Sequence, residues 1–165
     1  MPHAYFAYGS NLDPVQMKRR CPSSTRVGRA VLADHRLVFP LRSDGDWNGG
    51  VAGIEPVAPS GGRDAHSDDD PNAHVHGVVY TIDDADLAAL DRYEAVDEGM
   101  YRRERIGVVL DDGRRAEVLT YFAIADPAGP TPPSKKYLGA ILRGATHHGL
   151  PAAYLQHLAA IRTLD

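Results

Sequence analysis

The stretch YFAYGSNL, Tyr5 to Leu12, carries an aromatic, apolar segment directly into a polar Gly-Ser-Asn turn. Ala4 to Tyr8 is rich in aromatic residues, which favours a β-strand. Just after the turn, Asp13 and Pro14 are typical of a helix N-cap and a first helical residue, and we predict a short helix that ends near Arg20. The chain therefore begins with a strand, a tight turn and a helix.

Downstream, short apolar runs are separated by Gly, Pro and Asp residues, as in successive β-strands. The runs are VGRAVLA, HRLVFPL, GGVAGIEPV, HVHGVVYTI, and the pair RRERIGVVL and AEVLTYFAI, which the turn DDGR joins into a hairpin. Strand and helix alternate too rarely for a parallel doubly wound sheet. We predict an α+β fold, a mostly antiparallel barrel-like β-sheet with a few surrounding α-helices.

The helices are predicted from caps and spacing. The segment DDADLAALDRYEAV, residues 83–96, predicts a helix that Asp83 or Asp84 caps. Two more helices follow from apolar residues at helical spacing: Tyr137, Ile141 and Ala145, and then Tyr154, Leu158 and Ile161. Between them, Gly149 favours a helix stop and Pro151 a helix start.

The length of 165 residues, with 43% hydrophobic and 24% charged residues, indicates one domain spanning residues 1–165. Residues 58–72 are small, polar and acidic without apolar periodicity, and we predict a mobile surface loop there. The formal net charge of −4 gives no basic field for a polyanion, so we expect no nucleic-acid partner.

No window approaches the ~20 consecutive apolar residues of a membrane span, so we expect no membrane partner. The single cysteine, Cys21, cannot form an intramolecular disulfide, and no secretory leader is seen, which together predict a cytoplasmic protein. Cys21 has no neighbouring base or motif that would make it a nucleophile. The sequence leaves a homodimer open.

Histidines offer little for a metal site. His74 and His76 point to one side of a strand, but no third ligand stands at a recognisable spacing, so we predict no metal. His147 and His148 fall at a helix end, where protonated imidazoles would suit the helix dipole. The sequence has no G-x-S-x-G elbow, and it has no Gly-rich phosphate-binding motif.

A carboxylate on an apolar helix face is the first catalytic candidate. Leu87, Leu90 and Glu94 stand at i, i+3 and i+7, so Glu94 shares the face of leucines that must be buried. Burial would raise the pKa of this carboxyl toward the range useful for proton transfer. The alternative is a structural glutamate at the rim of the core, paired with Arg102 or Arg103.

The turn Gly9-Ser10-Asn11 is the second candidate. A turn between a strand and a helix N-terminus presents unpaired backbone N–H groups that attract a carboxylate or an oxyanion. The same pattern also serves an ordinary strand-to-helix connection, which leaves both interpretations open.

Four blocks in order resemble the γ-glutamylcyclotransferase family over nearly the whole chain, Tyr5 to Ile161. They are YFAYGSNL, WNGGVAGI, GVVYTI with LAALDRYEAVDEGMY, and PSKKYLGAILRGATHHGLPAAYLQHL. The chain resembles the γ-glutamylcyclotransferase proper rather than the glutathione-specific branch. The resemblance implies that the protein converts γ-glutamyl amino acids to 5-oxoproline and a free amino acid, as part of glutathione metabolism and without a metal or organic cofactor.

The resemblance also implies site residues. It makes Glu94, in the LDxxE block, the catalytic acid/base, and it makes Tyr101 and Tyr137 residues that border the pocket. The substrate loop would consist of Tyr8, Gly9, Ser10, Asn11 and Leu12. For the two bordering tyrosines, plain core packing is the alternative.

Two features depart from the family. Ala95 stands where the family commonly has glycine, and residues 58–72 form a longer loop than expected. These departures bear on substrate preference more than on reaction type. The sequence therefore leaves two alternatives: a cyclotransferase for another γ-glutamyl amide, such as a γ-glutamylamine or a carrier-bound group, and a non-catalytic binding domain of the same fold.

Overall fold

The computed structural model of the protein describes residues 2–58 and 70–165. Most of the predicted surface loop over residues 58–72 lies outside the described residues. The strands are β1 His3–Ala7, β2 Thr25–Ala33, β3 His35–Ser43, β4 Gly49–Pro56, β5 His74–Ile82, β6 Tyr101–Leu110 and β7 Arg115–Ala123. The helices are α1 Pro14–Arg20, α2 Asp84–Tyr93, α3 Lys135–His147 and α4 Ala152–Ala159.

Five strands form a closed barrel in the order β1-β5-β2-β6-β7, which closes because β7 pairs with β1. That closing pair is parallel, and every other pairing in the barrel is antiparallel. The strands β3 and β4 form a separate antiparallel hairpin. The predicted α+β fold with a mostly antiparallel barrel-like sheet is confirmed. Closure leaves the barrel no free edge strand.

The hydrophobic core fills the barrel and the space beneath the helices. Its most deeply buried large side chains are Phe6, Leu12, Met17, Val75, Val78, Ile82, Leu90, Val118, Ile141, Tyr154 and Leu158. β5 is buried along nearly its whole length because it pairs on both sides, with β1 and with β2. β1, which ends at Ala7, also has a paired strand on each side, β5 and β7. The turn that follows Ala7 therefore starts from a fixed position in the sheet.

The helix starts follow their capping residues. Asp13 accepts a hydrogen bond from the Val15 N–H at the start of α1. Asp83 forms a capping box with Asp86 at the start of α2, and Ser134 caps α3. None of the helices within residues 2–58 and 70–165 is both long enough and apolar enough to cross a membrane.

Two helix ends differ from the sequence prediction. α2 ends at Tyr93, three residues before the predicted Val96, because Ala95 adopts a left-handed conformation with φ of 51°. α4 ends at Ala159, so Ile161 lies beyond the helix instead of on the face of Tyr154. Gly149, with φ of 68°, ends the turn after α3 as predicted.

Candidate active site

A cavity of ≈ 90 Å³ opens where the ends of β1, α1, α2 and α3 meet the β3–β4 hairpin. The residues that line it are Tyr5, Tyr8, Gly9, Ser10, Asn11, Arg20, Ser43, Trp47, Val51, Ala52, Tyr93, Glu94, Met100, Tyr101, Tyr121 and Tyr137. The wall is thus rich in tyrosine, with one cation and one carboxylate.

The structure brings most of the predicted site residues to this one cavity. Glu94, Tyr101 and Tyr137 line it together with residues 8–11, although they come from four different parts of the chain. Leu12 is the exception. Its side chain is fully buried in the core, outside the cavity, because the turn carries the chain back into the protein at this residue.

The turn after β1 is a single 3₁₀ turn, Ser10–Leu12, in which Leu12 N–H donates to Gly9 O at 3.0 Å. Ser10 and Asn11 open the turn, so their N–H groups have no acceptor within it. From α1, the Gln16 amide donates to Ser10 Oγ at 2.7 Å and to Asn11 Oδ1 at 3.0 Å. The short helix therefore fixes the side chains of the turn.

Glu94 reaches the cavity from the C-terminal end of α2. Its N–H donates to Leu90 O at 2.8 Å, and the left-handed Ala95 then turns the chain away. The sequence placed Glu94 on the buried face of a longer helix. In the structure it is instead the residue that ends the helix, which frees its side chain to point into the cavity.

Glu94 is half-buried as a residue, and protein atoms crowd around its carboxyl group. Burial raises the pKa of this carboxyl from 4.5 to about 7, and the nearby Arg20 charge opposes the rise. Arg102 and Arg103, the partners of the structural alternative, pair elsewhere, with Glu104 and with Asp91. The raised pKa therefore reflects desolvation of an acid that has no ion-pair partner among the described residues.

Three tyrosines hold the cavity wall through main-chain atoms. Tyr101 Oη donates to Ala52 O, Tyr137 Oη accepts from Ala52 N–H at 2.9 Å, and Tyr8 Oη donates to Tyr121 O. Ala52 lies in β4, so two of these bonds fasten the separate hairpin to β6 and to α3. Burial raises the pKa of Tyr8 and of Tyr101 well above the usual value, and both remain neutral hydrogen-bond donors.

Sequence reasoning missed several residues of the cavity, above all Arg20, Tyr5, Trp47 and Tyr121. Trp47 lies in the quoted WNGGVAGI block, which gave a signal for it, and its ring meets the Tyr137 ring edge-on at 4.9 Å between centroids. Arg20 carried no signal beyond its place at the end of α1, because a basic residue in a last helical turn is usually explained by the helix dipole.

The other chemical candidates lie outside the cavity. Burial raises the pKa of the Cys21 thiol to about 12, so it is not a reactive thiolate. No group of three or more His, Cys, Asp or Glu side chains suited to a metal occurs in the part of the chain that the structure describes. His148 corrects the sequence interpretation, because burial, followed by the nearby Arg26, lowers its pKa to about 4. It is a neutral imidazole rather than a cation at the helix end.

Comparison with known proteins gives the following relatives. The model of the AIG2-like family matches residues 74–158. γ-Glutamylcyclotransferase from Homo sapiens is 32% identical over 164 residues, which cover 98% of this chain and 79% of the human protein. The Bos taurus γ-glutamylcyclotransferase is 31% identical with the same coverage. A solved structure of a γ-glutamyl cyclotransferase superposes with a TM-score of 0.86 at 30% identity, and the match covers 100% of this chain and 90% of that one.

Proposed function

Because the chain belongs to the γ-glutamylcyclotransferase family, we propose that it converts γ-glutamyl amino acids to 5-oxoproline and a free amino acid. One observation carries the proposal for this chain. A carboxyl group whose pKa is raised to about 7 lines the same small cavity as a polar turn that can hold an anion. An acid of this kind can both accept and donate a proton near neutral pH.

We assign the glutamyl end of the substrate to residues 8–11. The free N–H groups of Ser10 and Asn11 and the Ser10 hydroxyl suit the α-carboxylate of the glutamyl group, since all are donors at the start of a turn. Gly9 lies close to the wall, since a Cβ atom there would be in contact with Tyr137 Oη at 3.4 Å. Leu12 supports the turn from the core side.

In the reaction, the α-amino nitrogen of the substrate attacks its own γ-carbonyl carbon. The new carbon–nitrogen bond closes the five-membered lactam, and the bond to the nitrogen of the second amino acid breaks. Well-oriented intramolecular attack supplies roughly 7–11 kcal/mol of the barrier reduction, so no protein nucleophile is needed. The enzyme must hold the glutamyl chain bent, and a small cavity with rigid walls does so.

Glu94 moves the protons in this scheme. As a carboxylate it takes a proton from the α-ammonium group, which makes the nitrogen nucleophilic, and as an acid it returns a proton to the leaving amine. The attacking nitrogen loses a second proton after the carbon–nitrogen bond has formed, and the leaving nitrogen gains two protons and departs as an ammonium group, so the proton count is unchanged over the cycle. A pKa near 7 keeps both forms accessible, which favours a residue with two opposite tasks.

The tyrosines form the walls against which the substrate bends. Tyr101 and Tyr137 line the cavity, and each is fixed through a hydrogen bond to Ala52, so their rings keep their places when the cavity fills. Burial raises the pKa of Tyr137 as well, so its hydroxyl stays protonated. We assign both residues to substrate positioning.

A 5-oxoproline release assay with γ-glutamyl-L-alanine tests the proposal. Glu94→Gln preserves the size of the side chain and removes its acid–base function, so turnover should fall by about 10²–10⁴-fold. Glu98→Gln is the matched control, because Glu98 is exposed and follows in the same loop. It should retain the wild-type rate.

A binding measurement distinguishes an enzyme from a protein that only binds the dipeptide. Calorimetry with Glu94→Gln should show the dipeptide bound and unchanged, since the turn and the tyrosines remain intact. A wild-type protein that binds the dipeptide without releasing 5-oxoproline would be a binding domain, and the proposed activity would be wrong. Equal turnover by wild type and Glu94→Gln would remove Glu94 from the mechanism.

A further inference from the structure

Arg20 places a cation in the cavity wall, near Glu94 but without an ion pair to it. It is the last residue of α1, and its Nη1 donates to Asn11 Oδ1 at 3.2 Å. Its guanidinium carbon lies 4.4 Å from the centroid of the Tyr93 ring. Within residues 2–58 and 70–165, no Asp or Glu side chain forms an ion pair with it.

This arrangement positions the guanidinium, and most of its donors have no acceptor among residues 2–58 and 70–165. Asn11 Oδ1 accepts from one nitrogen, and the cation–π contact with the Tyr93 ring holds the group from the other side. A guanidinium presents five N–H donors in a flat fork that matches a carboxylate. The neighbouring basic residues differ, since Lys18 donates to Ser24 O and Arg19 is exposed and does not line the cavity.

The position of Arg20 indicates which of the two carboxylates of a γ-glutamyl amino acid it would bind. Asn11 in the turn is only 3% exposed, whereas Tyr93, whose ring lies beneath the Arg20 guanidinium, is 54% exposed. Arg20 therefore extends from the buried turn, where its Nη1 bonds Asn11, to the solvent-exposed Tyr93 side of the cavity. The glutamyl group is common to all substrates, but the second amino acid varies and must extend toward solvent.

We propose that Arg20 is a specificity-determining residue that binds the carboxylate of the leaving amino acid. The inference rests on the proposed function. It adds that the protein prefers γ-glutamyl amino acids over γ-glutamylamines, because the latter lack the carboxylate that would pair with Arg20. In the leaving amino acid, that carboxylate is two bonds from the nitrogen to which Glu94 returns a proton, and both side chains line the same cavity.

Two substrates that differ only in this carboxylate test the inference. γ-Glutamyl-L-alanine and γ-glutamylethylamide share the glutamyl group and the amide, and the second lacks the carboxylate of the first. Wild type should show a kcat/KM at least about tenfold higher for the dipeptide, since a hydrogen bond to a charged group contributes on that scale. Arg20→Gln should lower kcat/KM for the dipeptide by about 10–100-fold and change that for the ethylamide less than about threefold.

Controls separate substrate binding from indirect effects. The Arg20 charge also holds down the pKa of Glu94, so each variant is compared on the plateau of its own pH profile. Arg19→Gln removes an exposed charge from the same helix and should leave both substrates unchanged. Arg20→Lys should retain part of the preference, because it keeps the charge but loses the fork.

The outcomes are distinct. If Arg20→Gln lowers kcat/KM equally for both substrates, Arg20 binds the glutamyl end or acts through Asn11, and the inference is wrong. It is also wrong if wild type does not discriminate between the two substrates. A wild type that releases 5-oxoproline from neither substrate overturns the proposed function itself, and the inference with it.

Discussion

His148 at the end of α3 lies with its Nε2 atom 3.1 Å from the carbonyl oxygen of Leu12, at the end of the turn that lines the cavity. On the other side of the ring, Arg26 Nε donates to Nδ1 at 3.1 Å. Because a guanidinium can only donate, Nδ1 carries no proton, and the proton on Nε2 is free to bond Leu12 O. A neutral imidazole thus joins β2, α3 and the turn.

This ring should make stability depend on pH. The pKa of His148 is lowered from 6.5 to about 4 in the folded protein, so between these values the unfolded chain binds more protons. Its contribution to stability is full above pH 6.5 and is lost as the pH falls toward 4. Because the residue is only 8% exposed, solvent screens this effect little, and we expect a loss of about 2–3 kcal/mol.

Thermal unfolding of wild type and His148→Gln across pH 4 to 8 measures this contribution. The glutamine amide can still donate to Leu12 O but does not titrate, so the wild type should be the more stable protein at pH 7.5 and should lose that advantage by about pH 4. Parallel curves would show that His148 does not titrate on unfolding in this range.

Gly144 supports the same turn from α3. A Cβ atom at this position would lie 2.1 Å from the Leu12 carbonyl carbon and 2.4 Å from Asp13 N. Gly144→Ala must therefore displace the turn or the helix, and it should cost about 1–3 kcal/mol of unfolding free energy and reduce 5-oxoproline release.

Gly139→Ala is the matched control on the same helix. Its Cβ would meet only the flexible Arg143 Nη1 atom, at 3.5 Å. Because alanine favours a helix over glycine, this change should stabilise the protein by about 0.5–1 kcal/mol. Denaturant unfolding compares the two variants, and similar effects from both would refute close support of the turn by α3.

Glu94 should reduce stability at neutral pH. Its folded pKa, raised from 4.5 to about 7, means that the folded protein binds more protons than the unfolded chain between these values. The stabilising contribution of the protonated acid is present below pH 4.5 and is lost as the pH rises through 7. Glu94→Gln should therefore be more stable than wild type at pH 8, by about 2 kcal/mol, and nearly equal to it at pH 4.

This result would set Glu94 apart from a structural acid. Removing a carboxylate from a stabilising ion pair would destabilise the protein at pH 8, the opposite sign. Melting temperatures at pH 4 and pH 8 decide between the two. Between pH 4.5 and 6.5, rising pH lowers stability through Glu94 and raises it through His148. The two contributions partly cancel in the wild type, so each is measured in its own single variant.

Ala95 adopts a left-handed conformation, with φ of 51°, directly after the helix that carries Glu94. This conformation costs a non-glycine residue about 1–2 kcal/mol, and glycine offsets part of that gain with a more flexible unfolded chain. Ala95→Gly should therefore raise the free energy of unfolding by about 0.5–1 kcal/mol.

Ala88→Gly provides the contrast, because Ala88 is exposed inside the same helix and glycine there should cost about 1 kcal/mol. Urea denaturation measures the change in the free energy of unfolding, which should be positive for Ala95→Gly and negative for Ala88→Gly. Destabilisation by Ala95→Gly would mean that the methyl group of Ala95 contributes more than its strained backbone costs.

The sequence alone determined the elements and the class of fold. Asp13 with Pro14, and Asp83 with Asp86, specify helix starts through local hydrogen bonds, and the apolar runs specify strands through local patterns. Such signals depend on residues that are close together in the sequence, so they can be recognised without knowing the fold. The short blocks that resemble γ-glutamylcyclotransferases pointed to Glu94 and to residues 8–11 in the same way.

Only the tertiary structure decided how these parts meet. Arg20, Tyr121 and Trp47 reach the cavity because barrel closure and the docking of the β3–β4 hairpin bring distant segments together, and no local pattern specifies that. The same packing removes Leu12 from the cavity and keeps His148 neutral. Burial and charge, which set the pKa values of Glu94 and His148, are properties of the packed surroundings, and those surroundings exist only after the chain has folded.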